Sequence, residues 1–203
     1  MTPAELYRVA SYPKERPPYE QDFNPILLGN WTNLLLQEAL HEVEPRLVVE
    51  VGSWLGYSAM TILKAAPRCE LFCLDTWLGE AGLYEASDNR AVIKNSYERF
   101  LANTWEQRDR IRPFRIDSVG GLRMIHLAGL VPDLIFIDGN HEYEGAYGDL
   151  HVSMTRFPEA VLILDDYGSQ VQQAAEECCD KFGRKLILRG NAARINPAKI
   201  PVL

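Results

Sequence analysis

Three aspartates follow two apolar runs in the second half of the chain. Asp138 ends the run 133–138, and Asp165 and Asp166 follow the run 160–164. Because adjacent parallel strands lie about 4.8 Å apart, carboxylates at the ends of two such strands could share one small volume. Like charges held that close repel unless a cation neutralises them, and oxygen ligands favour Mg²⁺, Mn²⁺ or Ca²⁺. The pattern predicts a divalent metal site, or alternatively a helix cap at Asp166 with backbone-bound carboxylates at the other two positions.

A histidine follows the first of these aspartates at a spacing of three residues. His141 lies in the segment Gly139-Asn-His-Glu-Tyr143, which we expect to be a loop at the mouth of the site. A neutral imidazole there could take a proton from a hydroxyl group, since its unperturbed pKa is close to neutral pH. The position favours a general base over a merely solvated histidine. Tyr143 and Trp77 could line the same pocket or pack against the helices that follow them.

The first buried run of the chain leads into a turn that contains two glycines. The run Leu47-Val-Val-Glu-Val51 is typical of a parallel strand with both faces covered. Gly52 and Gly56 allow positive φ or the close approach of a ligand. The helix behind them offers free N–H groups to an anionic group. Because ligands of open α/β sheets bind beyond the carboxyl ends of the strands, this turn predicts a nucleotide-like cofactor.

Two further strand ends carry polar side chains. Asp75 ends the second apolar run, 25 residues after Glu50. A carboxylate at this place commonly accepts hydrogen bonds from a ribose diol, although it could also be a loop or cap carboxylate. Asp117 and Ser118 follow the third run and could cap a helix or touch a purine ring.

Short apolar runs alternate with helical patterns through the chain. The predicted strands are 46–51, 70–75, 111–116, 133–138, 160–165, 185–189 and 192–196. The predicted helices are 31–43, 57–66, 90–105, 119–129, 144–156 and 168–182. This alternation predicts an α/β fold with a mostly parallel seven-stranded sheet and helices on both faces. Arg189-Gly-Asn191 is too short for a crossover, so we expect the last strand to be reversed in a hairpin.

The length of 203 residues suits a single domain. We expect residues 1–26, which contain five prolines, to form an arm over the domain or a mobile leader, and residues 27–203 to form the domain. The segment 76–90 is a candidate lid. The apolar segment Phe23-Asn-Pro-Ile-Leu-Leu28 could close over the pocket or pair with a second copy in a homodimer.

Composition excludes several classes of function. A net charge of −7 disfavours nucleic acid or an anionic membrane as the principal partner. There is no run of 18 apolar residues and no basic N-terminal region followed by an apolar stretch, so we expect a cytoplasmic protein without a signal peptide or membrane span. Four cysteines in a chain of this size indicate reduced, packed thiols.

Four segments at predicted strand ends together resemble a known family. They are Glu50-Val-Gly-Ser-Trp-Leu-Gly-Tyr-Ser58, Leu71-Phe-Cys-Leu-Asp-Thr-Trp77, Asp133-Leu-Ile-Phe-Ile-Asp-Gly-Asn-His-Glu-Tyr143 and Ile163-Leu-Asp-Asp-Tyr167. Over about residues 30–197 the chain resembles class I S-adenosylmethionine-dependent methyltransferases, which have a Rossmann-like fold whose sheet ends in a reversed strand. Within them it is most similar to small-molecule O-methyltransferases of the cephalosporin-hydroxylase/macrolide-sugar and catechol O-methyltransferase type.

The resemblance implies a role for each matching residue. The implied contacts with S-adenosylmethionine are Glu50, Gly52, Ser53, Gly56, Tyr57, Ser58, Asp75, Thr76, Trp77, Ser118 and Asp138. Of these, Glu50 and the glycine turn would border the methionine end, Asp75 would hold the ribose and Ser118 would lie at the adenine edge. The implied ligands of Mg²⁺ are Asp138, Asp165 and Asp166.

The same resemblance implies a mechanism. His141 would be the base, where catechol-type enzymes carry a lysine, and this departure disfavours a catechol. Asp166 stands where those enzymes commonly carry asparagine, which makes the group of carboxylates more anionic. The implied reaction is in-line transfer of a methyl group to a metal-bound hydroxyl of a small molecule. Two alternatives stay open, a metal-independent methyltransferase and a non-catalytic S-adenosylmethionine-binding protein. The spacing Gly52-x-x-x-Gly56 lacks the G-x-G-x-x-G fingerprint of nicotinamide-dependent oxidoreductases.

Overall fold

The computed structural model describes residues 1–23, 28–78 and 94–197. Its strands are β1 (Leu47–Val51), β2 (Glu70–Asp75), β3 (Ile111–Arg115), β4 (Leu134–Ile137), β5 (Val161–Leu164), β6 (Leu186–Arg189) and β7 (Ala192–Ile195). Its α-helices are α1 (Pro3–Val9), α2 (Asn30–Val43), α3 (Tyr57–Ala65), α4 (Ser96–Asn103), α5 (Ser118–Leu127), α6 (Tyr143–Arg156) and α7 (Ser169–Phe182). Among the described residues, no helix has the length and apolar character needed to cross a membrane.

The strands form one sheet in the order β3-β2-β1-β4-β5-β7-β6. The first five strands are parallel, and β7 runs antiparallel to both of its neighbours. The predicted mostly parallel sheet with a reversed last strand is therefore confirmed. The chain changes direction across the sheet between β1 and β4, so a crevice opens there beyond the carboxyl ends of the strands.

Alternate residues of the central strands enter two hydrophobic clusters, one on each face of the sheet. In β1, Val49 and Val51 belong to one cluster and Val48 to the other. In β2, Phe72 belongs to the first cluster and Leu71 to the second. Burying each such side chain contributes about 1.5–3 kcal/mol, and helices must cover both faces to achieve it. This two-sided burial explains why β1 reads as a continuous apolar run interrupted only by Glu50.

The N-terminal segment contains a helix that no pattern in the sequence predicted. Thr2 and Glu5 form a reciprocal capping box at the start of α1. Leu6 is fully buried in the first hydrophobic cluster. The Tyr7 ring packs edge-on against Phe72, with the ring centres 5.6 Å apart, and the Tyr7 hydroxyl donates a hydrogen bond to Glu70. Helix α1 therefore packs against the sheet through Leu6 and Tyr7.

Two predictions fall partly outside the described residues. The predicted helix 90–105 corresponds to α4 and a short 3₁₀ helix (Trp105–Gln107), while residues 90–93 are not described. Most of the candidate lid, residues 79–90, and the leader residues 24–27 also lie outside the described ranges. All four cysteines are buried and unpaired, as predicted.

Candidate active site

The turn between β1 and α3 lies directly against the end of β4. Gly52 and Gly56 have φ angles of 82° and 89°, which are favoured by glycine alone. A β-carbon on Gly52 would lie 1.9 Å from the carbonyl oxygen of Asp138, and one on Gly56 would lie 2.6 Å from the Thr104 side chain. The predicted need for glycine at both positions is confirmed, and its reason is close backbone approach as well as positive φ.

Glu50 lies behind this turn and is completely buried. Its Oε2 accepts hydrogen bonds from the Ser53 hydroxyl and, at 3.3 Å, from the Cys73 thiol. Burial raises the pKa of Glu50 to about 7, although hydrogen bonds from Ser53, Ser58 and Cys73 act in the opposite direction. A cationic group placed near this carboxylate would favour its ionised form.

Asp75 connects the end of β2 to the glycine turn. Its Oδ2 accepts hydrogen bonds from the backbone N–H groups of Ser53 and Trp54 at 3.0 and 2.8 Å, and its Oδ1 accepts one from the Trp77 N–H at 2.6 Å. Burial raises its pKa, and these amide bonds oppose that shift. Asp75 therefore has the loop role that was one of its two predicted alternatives. Its contact with a ribose stays a prediction.

Trp54 and Trp77 have positive φ angles of 43° and 50°, a strained conformation that no sequence motif indicated. The Trp77 ring is buried against Tyr97 and Phe100, with ring centres 4.7 and 4.9 Å away, and its Nε1 donates to the Trp54 carbonyl at 2.7 Å. Trp77 therefore packs against the following helix, the second of the two predicted alternatives.

Tyr143 begins α6, and its side chain contacts a residue of the same helix and one of α7. Its ring stacks on Tyr147 with centres 5.7 Å apart, and its hydroxyl donates to Glu177 at 2.6 Å. Of the other predicted cofactor residues, Tyr57 and Ser58 begin α3, and the Thr76 hydroxyl accepts a hydrogen bond from the Leu78 N–H at 3.3 Å.

The start of α5 shows a capping role for one of two predicted residues. Asp117 is the N-cap, and its Oδ1 accepts a hydrogen bond from the Gly120 N–H at 2.7 Å. The Ser118 side chain instead bonds to Asp149, a buried carboxyl in the middle of α6. Burial raises the pKa of Asp149 to about 7. Asp149 was not predicted from the sequence because a single acidic residue within a helical pattern carries no local signal of burial.

Two predicted metal ligands and the predicted base meet at the carboxyl ends of β4 and β5. Ligand atoms of Asp138, His141 and Asp166 all lie within 4.8 Å of one another. The His141 Nε2 is 3.6 Å from Asp138 Oδ1 and 3.6 Å from Asp166 Oδ2. Burial raises the pKa of Asp138 to about 6, the Asp165 and Asp166 charges add to that rise, and the hydrogen bond with His141 opposes it. We call Asp138, His141 and Asp166 the acidic cluster.

Asp165, the third predicted ligand, has at least one carboxylate oxygen that binds groups other than the ligand atoms of the acidic cluster. Its Oδ1 accepts hydrogen bonds from the Thr32 hydroxyl and, at 2.8 Å, from the Asp166 N–H. The group within mutual reach is therefore two aspartates and a histidine, which differs from the three aspartates that the sequence indicated. The predicted alternative for Asp166 is also not observed, because Gly168 is the N-cap of α7.

The donor set of the acidic cluster fits a divalent cation. The carboxylate oxygens of Asp138 and Asp166 suit Mg²⁺ or Mn²⁺, and a cation between them would offset the like-charge repulsion that adds to the effect of burial on the pKa of Asp138. Gly52 is in close contact with Asp138, the first residue of the acidic cluster. The glycine turn and the acidic cluster therefore border the same crevice.

Comparison with known proteins agrees with this fold. A family model described as a methyltransferase domain matches residues 49–167, more than half of the chain. No curated protein matches the sequence. Similar solved structures include a proposed caffeoyl-CoA O-methyltransferase from Staphylococcus aureus (16% identity, 85% of each chain, TM-score 0.62). The O-methyltransferase TomG from Streptomyces achromogenes, in complex with SAM, is 13% identical over 86% of this chain and 83% of that chain, with a TM-score of 0.61.

A third similar structure is the precorrin-6y C5,15-methyltransferase from Geobacter metallireducens. It is 14% identical over 88% of this chain and 92% of that chain, with a TM-score of 0.57. Sequence identities this low show that these structures and the chain share a fold, and no more than that. The family match covers the glycine turn, the end of β2 and the acidic cluster. The chain therefore belongs to the methyltransferase-domain family and is a class I S-adenosylmethionine-dependent methyltransferase.

Proposed function

We propose that this enzyme transfers the methyl group of S-adenosylmethionine to a hydroxyl group of a small molecule with the help of a divalent cation, Mg²⁺. The observation that carries the proposal is the acidic cluster, in which His141 Nε2 stands 3.6 Å from an oxygen of Asp138 and of Asp166. A base and two hard oxygen ligands in one place suit deprotonation of a hydroxyl. Two similar structures are named as O-methyltransferases, which agrees with an oxygen acceptor.

The methyl donor would occupy the crevice between the glycine turn and the end of β4. Gly52 keeps the turn close to Asp138, and the N-terminus of α3, which has no side-chain cap, faces the same turn. Glu50 would lie near the methionine end, where its carboxylate would favour the cationic groups of the donor. Asp75 would hold the ribose and Ser118 the adenine edge.

The chain's own residues would carry out the proton transfer and the alignment. Asp138 and Asp166 would hold the cation, which when bound would lower the pKa of the acceptor hydroxyl. His141 would remove the hydroxyl proton at its Nε2, and the oxygen would attack the methyl carbon in line with the sulfur. Because the leaving sulfide is neutral, much of the acceleration should come from positioning and exclusion of water.

The test separates metal-assisted O-methylation from the two alternatives. Protein stripped with EDTA is assayed for S-adenosylhomocysteine formation with a panel of hydroxylated acceptors, before and after Mg²⁺ is added. We expect turnover only with Mg²⁺, and the D138N variant should lose it while the exposed control D180N retains it. Undiminished turnover in EDTA would show a metal-independent enzyme. Binding of S-adenosylhomocysteine without turnover on any acceptor would favour a non-catalytic protein.

A further inference from the structure

The chain turns sharply at Asp165 and Asp166, between the end of β5 and α7. Asp166 has a φ angle of 48°, in the left-handed region that few residues other than glycine adopt, although aspartate enters it more readily than most. Within the turn, the Gly168 N–H donates to the Asp166 carbonyl at 2.6 Å, and the Asp166 N–H donates to Asp165 Oδ1 at 2.8 Å. Two residues from distant parts of the chain also bind this turn.

Thr32 binds the turn from the first turn of α2. Its side chain is completely buried, and its hydroxyl donates to Asp165 Oδ1. That oxygen also accepts the Asp166 N–H, so Thr32 holds the carboxylate that in turn holds the left-handed backbone of Asp166. Thr32 lies before the segment 49–167 that matches the methyltransferase-domain family.

Asn191 binds the turn from the hairpin between β6 and β7. Its carbonyl accepts the Tyr167 N–H at 2.7 Å, and its Nδ2 donates to Asp166 Oδ1 at 3.3 Å. The second oxygen of Asp166, Oδ2, is the one that lies 3.6 Å from His141 Nε2. Asn191 therefore contacts one oxygen of the carboxylate while the other oxygen enters the acidic cluster.

We propose that Thr32 and Asn191 are positioning residues that set the affinity of the acidic cluster for a divalent cation. This inference rests on the proposed function, because it assumes that the cluster binds Mg²⁺ or Mn²⁺. Thr32 fixes the backbone at Asp166 through Asp165, and Asn191 fixes the side chain of Asp166. Residues that orient metal ligands from behind typically change metal affinity 10- to 100-fold when they are replaced.

The test measures Mn²⁺ binding by electron paramagnetic resonance in the purified full-length protein. T32V removes the hydroxyl but keeps the volume of the side chain, and T32S restores a hydroxyl. N191A removes the amide at an exposed turn. We expect T32V and N191A to weaken Mn²⁺ binding about 10-fold or more, and T32S to remain within about threefold of wild type. Affinity for S-adenosylhomocysteine in metal-free buffer should be unchanged in all three variants.

Each remaining outcome distinguishes this inference from the proposed function. Wild-type Mn²⁺ affinity in both T32V and N191A would overturn the positioning role and leave the proposed function intact. An equal loss of Mn²⁺ and S-adenosylhomocysteine binding would show a merely structural role and would also overturn it. If wild-type protein binds no Mn²⁺, the metal part of the proposed function fails as well. If T32V does not fold, N191A decides the question, and wild-type Mn²⁺ affinity in N191A then overturns the inference.

Discussion

A β-carbon on Gly52 would lie 1.9 Å from the carbonyl oxygen of Asp138. The turn after β1 and the first residue of the acidic cluster are therefore in backbone contact. Hydrogen bonds on both sides hold this arrangement, because the Gly52 N–H donates to the Leu74 carbonyl at 2.9 Å and the Asp138 N–H donates to the Val51 carbonyl at 2.8 Å. A methyl donor bound at the glycine turn and a methyl acceptor bound at the acidic cluster would be neighbours for this reason.

The first prediction concerns the position that a β-carbon on Gly52 would occupy. G52A would force a methyl group into the Asp138 carbonyl, so we expect a loss of about 3 kcal/mol or more in the free energy of unfolding, together with loss of S-adenosylhomocysteine binding. G129A is the matched control, because Gly129 has a similar φ of 74° but open space around it. That control should cost only about 1–2 kcal/mol. Urea unfolding and calorimetry measure both quantities, and equal effects in the two variants would contradict the steric argument.

The second prediction concerns the proposed base. H141Q should lower the rate of methyl transfer about 10²- to 10⁴-fold, because it removes the group that accepts the hydroxyl proton. Affinity for S-adenosylhomocysteine should be unchanged. H41Q, at an exposed position in the last turn of α2, should retain wild-type turnover. Steady-state kinetics with the best acceptor and calorimetry check both points, and wild-type turnover in H141Q would exclude His141 as the base.

The third prediction tests whether the N-terminal helix is part of the core. Leu6 is completely buried, whereas Leu127 is 69% exposed. L6A should therefore cost about 2–5 kcal/mol in the free energy of unfolding, and L127A should change it by less than about 0.5 kcal/mol. Equilibrium urea unfolding provides the measurement. Similar values for the two variants would mean that α1 contributes nothing to stability.

The fourth prediction concerns the dependence of stability on pH. Burial raises the pKa of Asp149 to about 7 from an ordinary value of 3.8. A carboxyl whose pKa is higher in the folded state favours folding below its unfolded pKa and loses that contribution as pH rises through its folded pKa. As pH rises from 4 to 7, the free energy of unfolding of D149N should therefore fall less than that of wild type, by about 1 kcal/mol or more. Urea unfolding at several pH values across that range checks this.

Glu50 provides an internal comparison for the pH experiment. Its pKa is also raised to about 7 by burial, so some of the pH dependence should persist in D149N. The double variant E50Q/D149N should show a flatter profile than either single variant. A D149N profile that parallels that of wild type would mean that Asp149 titrates at its ordinary pKa in the folded protein.

Local patterns were sufficient for most of the fold. β1 to β5 lie within one or two residues of their predicted positions, and β1, β2, β4 and β5 have the pattern of buried parallel strands, a short apolar run with a polar end. The hairpin at Gly190 was predictable from connection length alone. By contrast, α1 escaped prediction because Leu6 is its only fully buried residue, and Leu6 joins the hydrophobic cluster that contains Phe72 only once the sheet has formed.

The amino-acid sequence by itself determined the order of the strands along the chain, the glycine turn and the presence of acidic residues at the ends of β4 and β5. Only the tertiary structure decided which side chains of that set meet. Thr32 and Asn191, far from the aspartates in the chain, bind the turn at Asp165 and Asp166, and His141 completes the acidic cluster. The physical reason is that a local pattern specifies burial and backbone conformation, whereas the direction of a carboxylate depends on hydrogen-bond donors that the fold brings from elsewhere.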